Sequence, residues 1–447
     1  MCYRDADELN WMAPELRRPA RHRRPAQPRR GGGARLTVLS VITAASAAGA
    51  PGEAALELLL DAPEARCLDG SPAGLYWRAG SGAGATKLLI FFQGGGFCSV
   101  LDEAMPSATD SCAARANSTL GSSLAWPPFA CGSSATVGFC CAYGGALSAD
   151  PAQNPFLFDF NLAFIGYCDG SALTSYVEAP IVLPSGQALH LRGSAILDAV
   201  LDAVFAPAPR HGAAGWATQV VVGGCSAGGA AVFYHLDAIR ARVPASVPVV
   251  GLADAGFLQD LPPATAAGAP PLSFERVRMQ NATAIWGAVR ANAACQARFS
   301  APEDAWRCLV PQHSASFVET PHFLLGAAYD IALGGSDGAN MSCATVFDEA
   351  CGAAGRAAWA AYRNATIANT DAGYFSPPSP HGAFLDACVP HCQSVYLNRS
   401  WHGKIYSGGF SPAEAFNAWL TGGPLAPGAR VRDDGEYPSN PTCVGEI

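Results

Sequence analysis

Charged side chains are scarce in this chain of 447 residues. Aspartate, glutamate, lysine and arginine together make up 14% of the sequence, and the formal net charge is −8. Nucleic-acid-binding surfaces are basic, so this balance argues against nucleic acid as a partner. Half of the residues are hydrophobic, which is enough to bury a sizeable core.

Three further patterns are missing from the chain after residue 50. No apolar run there is long enough to span a bilayer, and no internal repeat is visible. The cysteines do not form the paired C-x2-C knots that are typical of zinc sites. We therefore expect a monomer with no membrane span in the mature chain, no metal and no organic cofactor.

Cysteine, by contrast, is abundant, with sixteen residues spread over the chain. Such a load is typical of disulfides formed in an oxidising compartment. Five N-x-[ST] glycosylation sequons agree with secretion, and these are Asn117, Asn281, Asn340, Asn364 and Asn398. We expect an extracellular or cell-wall protein.

The N-terminus has the order of regions found in a signal peptide. An Arg- and Pro-rich stretch reaches residue 35, an apolar run covers Leu36–Ala45, and Ala45-Ser46-Ala47 forms a cleavage site. The acidic residues near the start of the chain disfavour a transit peptide. We predict a signal peptide with an extended basic N-terminus over residues 1–47 and a single catalytic domain over residues 48–447.

Strand and helix patterns alternate through this second region. Apolar strands are predicted at Lys87–Phe92, Leu162–Ile165, Val247–Leu252 and Phe323–Asp330, and helices over 194–206, 343–367 and 411–420. Residues 260–320 are predicted to form a helical cap or insertion. This alternation predicts an α/β fold with a central, mostly parallel sheet flanked by helices, and with loop-rich insertions stapled by disulfides.

The segment Gly223–Gly229 lies between a predicted strand and a predicted helix and contains the pattern G-x-S-x-G. A glycine-rich turn between a β-branched strand and a helix is typical of the nucleophile elbow of α/β-hydrolases, which exposes the central serine. Ser226 is therefore the candidate nucleophile. A plain glycine turn is the alternative.

A second glycine run, Gly94–Gly96, directly follows the predicted strand Lys87–Phe92. Hydrolases place an oxyanion hole at this position, where bare amides face the substrate carbonyl. The N–H groups of Gly95, Gly96 and Ala227 are the candidate donors.

A serine nucleophile needs a base, and an acid that orients the base. The candidate acids are Asp254 and Asp330, each at a predicted strand end, and the candidate bases are His381, His391 and, with less support, His402. Cys388 and Cys392 flank His391. Disulfides from these cysteines to other parts of the chain would hold the histidine loop in place. A metal site at this Cys-His-Cys cluster lacks further ligands nearby.

Cys225, next to Ser226, could itself serve as a thiol nucleophile. The elbow presents only its central residue, so we interpret Cys225 as a small buried hydrophobic residue. Without Cys225 and Cys2, fourteen cysteines remain for up to seven bridges.

Taken together, these motifs resemble those of the pectin acetylesterase family, which also contains the Notum-type carboxylesterases. The resemblance runs from Leu75 to Cys443, in the order of the family. Its segments are Gln93–Cys98, Gly145–Ser148, Asn154–Pro155, Asn161, Tyr167–Ser171, Gly224–Gly229, Asp254–Phe257, Ala328–Asp330 and His391–Gln393.

The resemblance implies a serine esterase with Ser226, Asp330 and His391 as its catalytic residues, and O-acetyl groups on a pectin-like polysaccharide as its substrate. Gln93 and Phe97 stand where the family has Glu and Trp, and Ile331-Ala332 stand where plant enzymes have Trp-Gln. These departures concern substrate choice. The glycine at position 96 resembles the residue found there in the branch of the family that acts on polysaccharides. The alternatives are a Notum-like esterase that removes a longer acyl chain from a protein or glycan, and an inactive binding module of the same fold.

Overall fold

A computed structural model describes residues 52–102, 110–130, 144–207, 211–261, 273–336, 351–395 and 400–443. The predicted signal peptide lies outside these ranges. The strands within them are β1 Ala54–Leu58, β2 Gly74–Arg78, β3 Lys87–Phe92, β4 Phe129–Ala130, β5 Asn161–Ile165, β6 Ile181–Val182, β7 Ala188–Leu189, β8 Gln219–Cys225, β9 Val249–Asp254, β10 His322–Ala327, β11 Gly382–Asp386 and β12 Arg430–Arg432.

Ten of the described strands form one sheet, in the order β12-β11-β10-β9-β8-β3-β5-β2-β1-β4. From β12 to β5 the neighbours run parallel, whereas β2, β1 and β4 extend the sheet in antiparallel pairs. The central strands β3, β8 and β9 are buried on both faces, as their near-continuous apolar sequences require. The predicted α/β fold with a mostly parallel sheet is confirmed.

Helices flank this sheet. In the described ranges they are α1 Cys112–Arg115, α2 Gly193–Phe205, α3 Ala213–Trp216, α4 Ala227–Arg242, α5 Phe274–Ile285, α6 Ala293–Arg298, α7 Pro311–Ser314, α8 Ile331–Ser336, α9 Gly352–Thr370 and α10 Pro412–Gly422. The central helix α4 packs on β8 and β9. A capping box between Ser411 and Glu414 starts α10, as the Ser-Pro signal predicted.

Several elements differ from the sequence prediction. The predicted strand Val247–Leu252 is observed as β9, and the predicted helix 343–367 is observed as α9, with residues 343–350 outside the described ranges. Strand β10 ends at Ala327, three residues before Asp330, because the Asp330 carboxylate accepts hydrogen bonds from the N–H groups of Ala332 and Leu333 and so starts α8. The sequence analysis also did not assign the strands β11 and β12 of this sheet.

All eleven cysteines in the described ranges are disulfide-bonded. Five bridges join described partners, and these are Cys67–Cys168, Cys98–Cys112, Cys225–Cys392, Cys295–Cys308 and Cys388–Cys443. The interpretation of Cys225 as an unbridged hydrophobic residue is therefore wrong. Its side chain is buried as expected, but it is bonded to Cys392.

Within the described part of the chain, no helix combines the length and apolar character needed to cross a bilayer. Of the sequons, Asn117 and Asn364 are exposed and Asn281 is half-buried, while Asn340 and Asn398 lie outside the described residues.

The bridges close loops of very different length, which gives a test of their contribution to stability. Cys67–Cys168 spans 101 residues and Cys295–Cys308 spans 13. Replacing the first pair by alanine should lower the free energy of unfolding by about 4–5 kcal/mol, and replacing the second by about 3 kcal/mol, because a longer closed loop restrains the unfolded chain more. Denaturant unfolding of the two double variants measures the difference, and an equal or reversed order would contradict the assignment.

Candidate active site

Ser226 lies at the sharp turn between β8 and α4. Its backbone has φ 58° and ψ −124°, a left-handed conformation that is rare for residues other than glycine. The Ser226 N–H donates to the carbonyl of Asp254 at 2.9 Å, which joins this turn to the end of β9. The turn therefore has the geometry of a nucleophile elbow.

The glycines around Ser226 permit contacts that no Cβ would tolerate. A Cβ on Gly224 would lie 2.1 Å from the Gly228 carbonyl oxygen, and one on Gly228 would lie 2.1 Å from the Phe92 carbonyl oxygen. A Cβ on Gly94 would lie 3.0 Å from Ser226 Cβ. These distances explain why the glycines flank the serine, and they place the Gly94–Gly96 loop beside it.

His391 and Asp330 form a buried ion pair at the same edge of the sheet. His391 Nδ1 lies 2.9 Å and 2.8 Å from the two carboxylate oxygens of Asp330. Asp330 is 2% exposed and is held in place by the N-terminal turn of α8. Such a carboxylate orients the imidazole and leaves Nε2 free to accept a proton.

The loop that carries His391 is clamped by two disulfides. Cys388 is bonded to Cys443, and Cys392 is bonded to Cys225, with 5.4 Å between the Cα atoms of the second pair. The residue after the histidine is therefore covalently tied to the residue before Ser226, so the loop of His391 lies next to the Ser226 turn. Since both flanking cysteines are bridged, neither is a thiolate that could bind a metal.

The second glycine loop lies beside Ser226, with which it is in contact at Gly94. Gly95 and Gly96 have φ values of 147° and 66°, which favour glycine. Within the described residues, neither N–H group has a hydrogen-bond acceptor. Ala227 is the first residue of α4, so its N–H lies at the positive end of the helix dipole. These three N–H groups remain the predicted oxyanion donors.

Tyr167 supports the Gly94–Gly96 loop, a role that the sequence analysis missed. Its hydroxyl donates to the Gly96 carbonyl at 2.7 Å, and its N–H donates to Gln93 Oε1 at 2.8 Å. Gln93 can accept this bond as a glutamate would. The signal was present in the Y-C-D-G-S segment, but only the fold shows that it faces the glycine loop.

The other candidate bases lie elsewhere. His381 precedes β11 and stacks on His322 at the start of β10, so both rings occupy the opposite edge of the sheet from Asp330. Burial lowers the pKa of His381 to about 4. His402 Nδ1 lies 3.1 Å from Ser411 Oγ, at the N-cap of α10.

Asp254, the alternative acid, does not pair with His391. Its carboxylate accepts hydrogen bonds from the N–H and the hydroxyl of Ser394, both at 2.6 Å.

Electrostatics favour protonation of His391. Burial by itself lowers the pKa of a histidine, but the carboxylates of Asp330 and, more weakly, Asp254 outweigh this effect and hold the pKa of His391 above its usual range. The site can therefore stabilise an imidazolium, as proton transfer from a serine requires.

Comparison with known sequences finds relatives along most of the chain. The sequence model described as "Pectinacetylesterase" matches residues 49–444. Pectin acetylesterase 5 of Arabidopsis thaliana is 29% identical over 84% of this chain and 81% of its own. Pectin acetylesterase 4 from the same plant is 30% identical over 75% of each chain. The Homo sapiens palmitoleoyl-protein carboxylesterase NOTUM is 28% identical, over 46% of this chain and 36% of its own.

Comparison of folds finds the structure of the Wnt deacylase Notum from Drosophila. It superposes with a TM-score of 0.69, covering 88% of this chain and 99% of that chain, at 22% sequence identity. The two chains therefore share a fold.

The pKa of His391 gives a direct test of the ion pair. We expect it to lie above 6.5 in the folded protein and to fall in Asp330→Asn, because the variant removes a negative charge that stabilises the imidazolium. An NMR titration of the histidine ring measures both values. In Asp371→Asn, which changes an exposed carboxylate paired with Arg432, the pKa of His391 should not move. An equal pKa in wild type and Asp330→Asn would contradict the geometry.

Proposed function

Because the chain belongs to the pectinacetylesterase family and is a carboxylic ester hydrolase, we propose that it removes O-acetyl groups from a pectin-like polysaccharide by a Ser-His-Asp mechanism. The observation that carries the mechanism is the contact between His391 and Asp330 beside the Ser226 turn. The recognition of the family from its motifs is confirmed.

In the first half of the reaction, Ser226 Oγ attacks the acetyl carbonyl while His391 Nε2 takes the serine proton. Asp330 orients the ring through Nδ1 and stabilises the imidazolium. As the tetrahedral intermediate collapses, the imidazolium gives its proton to the sugar oxygen, and the sugar leaves as an alcohol. The acetyl group remains on Ser226.

In the second half, His391 takes a proton from water, and the resulting hydroxide attacks the acetyl-enzyme. Collapse returns the proton to Ser226 and releases acetate. The N–H groups of Gly95, Gly96 and Ala227 hold the oxyanion in both halves, and the loss of one such donor typically costs about 3 kcal/mol.

The names of the relatives support an acetylated polysaccharide as the substrate. Two curated relatives that cover three quarters or more of this chain are named pectin acetylesterases.

Secretion is part of the same proposal. Every described cysteine is bridged, which is typical of an oxidising compartment. The family match begins at residue 49, directly after the predicted cleavage site. A signal peptide over residues 1–47, one catalytic domain over residues 48–447 and a monomer in solution remain predictions.

The nucleophile is tested by Ser226→Ala. We expect kcat for an acetyl ester to fall by about 10⁴-fold or more, because the triad loses its attacking atom. The fold should persist, and thermal unfolding checks this. Folded His391→Ala should lose activity to a similar extent, whereas His381→Ala, at the other edge of the sheet, should retain most of it. Near-normal turnover by Ser226→Ala would reject the serine mechanism.

Acyl chain length separates the proposed substrate from the Notum-like alternative. Wild-type enzyme should release acetate from acetylated pectin and hydrolyse short-chain esters with higher kcat/KM than long-chain ones. Ser226→Ala is the blank for uncatalysed hydrolysis. A preference for octanoyl or longer esters would favour the Notum-like alternative, and no hydrolysis of any ester by the folded protein would favour a binding module.

A further inference from the structure

Asp254 is a buried carboxylate at the active site that the proposed mechanism does not use. It is the last residue of β9, between β8 and β10, and it has no exposed surface. Burial of a charge is costly unless the charge is compensated by a neighbouring charge and by hydrogen bonds. Its position between two catalytic segments therefore calls for a functional reason.

The two ends of this residue contact two different segments. Its backbone carbonyl accepts the N–H of Ser226 at 2.9 Å. Its carboxylate Oδ2 accepts both the N–H and the hydroxyl of Ser394, three residues after His391, at 2.6 Å each. One residue thus joins the turn of the nucleophile to the loop of the base.

Neighbouring contacts leave Asp254 little freedom to move. A Cβ on Gly229 would lie 2.3 Å from the Asp254 carbonyl oxygen, so α4 presses directly on this peptide. The Cys225–Cys392 disulfide joins the same two segments on the adjacent strand. The carboxylate is consequently held at a fixed position relative to the imidazole.

We propose that Asp254 is a positioning residue for the base: it holds the His391 loop against the Ser226 turn and supplies a second negative charge to the imidazole. The inference rests on the proposed role of His391. It differs from the role of Asp330, which contacts the ring directly.

The electrostatic interactions between Asp254 and His391 agree with this role. Asp330 and Asp254 are the carboxylates that raise the pKa of His391, and His391 is the charged group that acts on Asp254. Burial raises the pKa of Asp254 to about 6, while the hydrogen bonds from Ser394 and the charge of His391 oppose the rise. Asp254 is therefore ionised at neutral pH, and its charge is lost as the pH falls through about 6.

The test is Asp254→Asn, which keeps an acceptor for Ser394 but removes the charge. We expect the pKa of His391, measured by NMR titration without substrate, to fall. The acid limb of kcat/KM should move to lower pH in parallel, since a base with a lower pKa stays neutral in more acid solution. Any displacement of the base loop should lower kcat as well, by up to about 10²-fold.

Asp169 offers a matched control. It is equally buried, its carboxylate accepts hydrogen bonds from the N–H and hydroxyl of Ser171, and burial raises its pKa as well. In Asp169→Asn the pKa of His391 should stay at the wild-type value. A purely structural role for Asp254 would make the two variants behave alike, and an unchanged pKa in folded Asp254→Asn would overturn the proposal.

If Asp254→Asn does not fold, Ser394→Ala tests the proposed role of Asp254 instead. Loss of the Ser394 hydroxyl should raise the pKa of Asp254, because this hydrogen bond lowers it. Near the titration midpoint of Asp254, less of the carboxylate is then charged. The pKa of His391 should therefore fall, as in Asp254→Asn. An unchanged pKa would again overturn the proposal. Because the NMR titration needs no turnover, it is separate from the activity of Ser226→Ala, which tests the proposed function itself.

Discussion

The conformation of Ser226 is the constraint on which the rest of the site depends. A left-handed backbone at a residue with a Cβ costs about 1–2 kcal/mol, and it persists only where the surroundings enforce it. Here the enforcement comes from β9, which accepts the Ser226 N–H, and from α4, which approaches the strands closely at Gly228 and Gly229. The same turn connects β8 to α4, and the first N–H of this helix is a proposed oxyanion donor.

A disulfide and an ion pair then fix the positions of His391 and Asp330 relative to this turn. The Cys225–Cys392 bridge joins positions that are 167 residues apart in sequence. The buried Asp330 carboxylate accepts hydrogen bonds from His391 and from two backbone amides of α8. Rigid elements therefore hold each reacting group, and little reorganisation is needed when charge develops.

Local patterns were sufficient for much of this architecture. The apolar run Lys87–Phe92 is a buried strand with the predicted bounds, and Ser411 caps α10 as its Ser-Pro signal indicated. The glycines around Ser226 were recognisable because their spacing reflects a steric requirement of one short turn. Strand β11 was missed because its five residues carry too short an apolar pattern between prolines and cysteines.

The sequence by itself determined the nucleophile turn, the α/β class and the set of candidate acids and bases, since each of these depends on residues close together in the chain. Spacing along the chain left the choice among these candidates open, and the family resemblance pointed to Asp330 and His391. The tertiary structure adds that these two side chains are in contact. Asp254 and Asp330 both lie at or just beyond the carboxyl ends of parallel strands, so strand position could not separate them. The pairing of Cys225 with Cys392 was equally hidden, although each adjoins a predicted catalytic residue. Contacts between distant segments depend on how the sheet is ordered and on how the loops turn beyond it, and no local pattern of side chains encodes either.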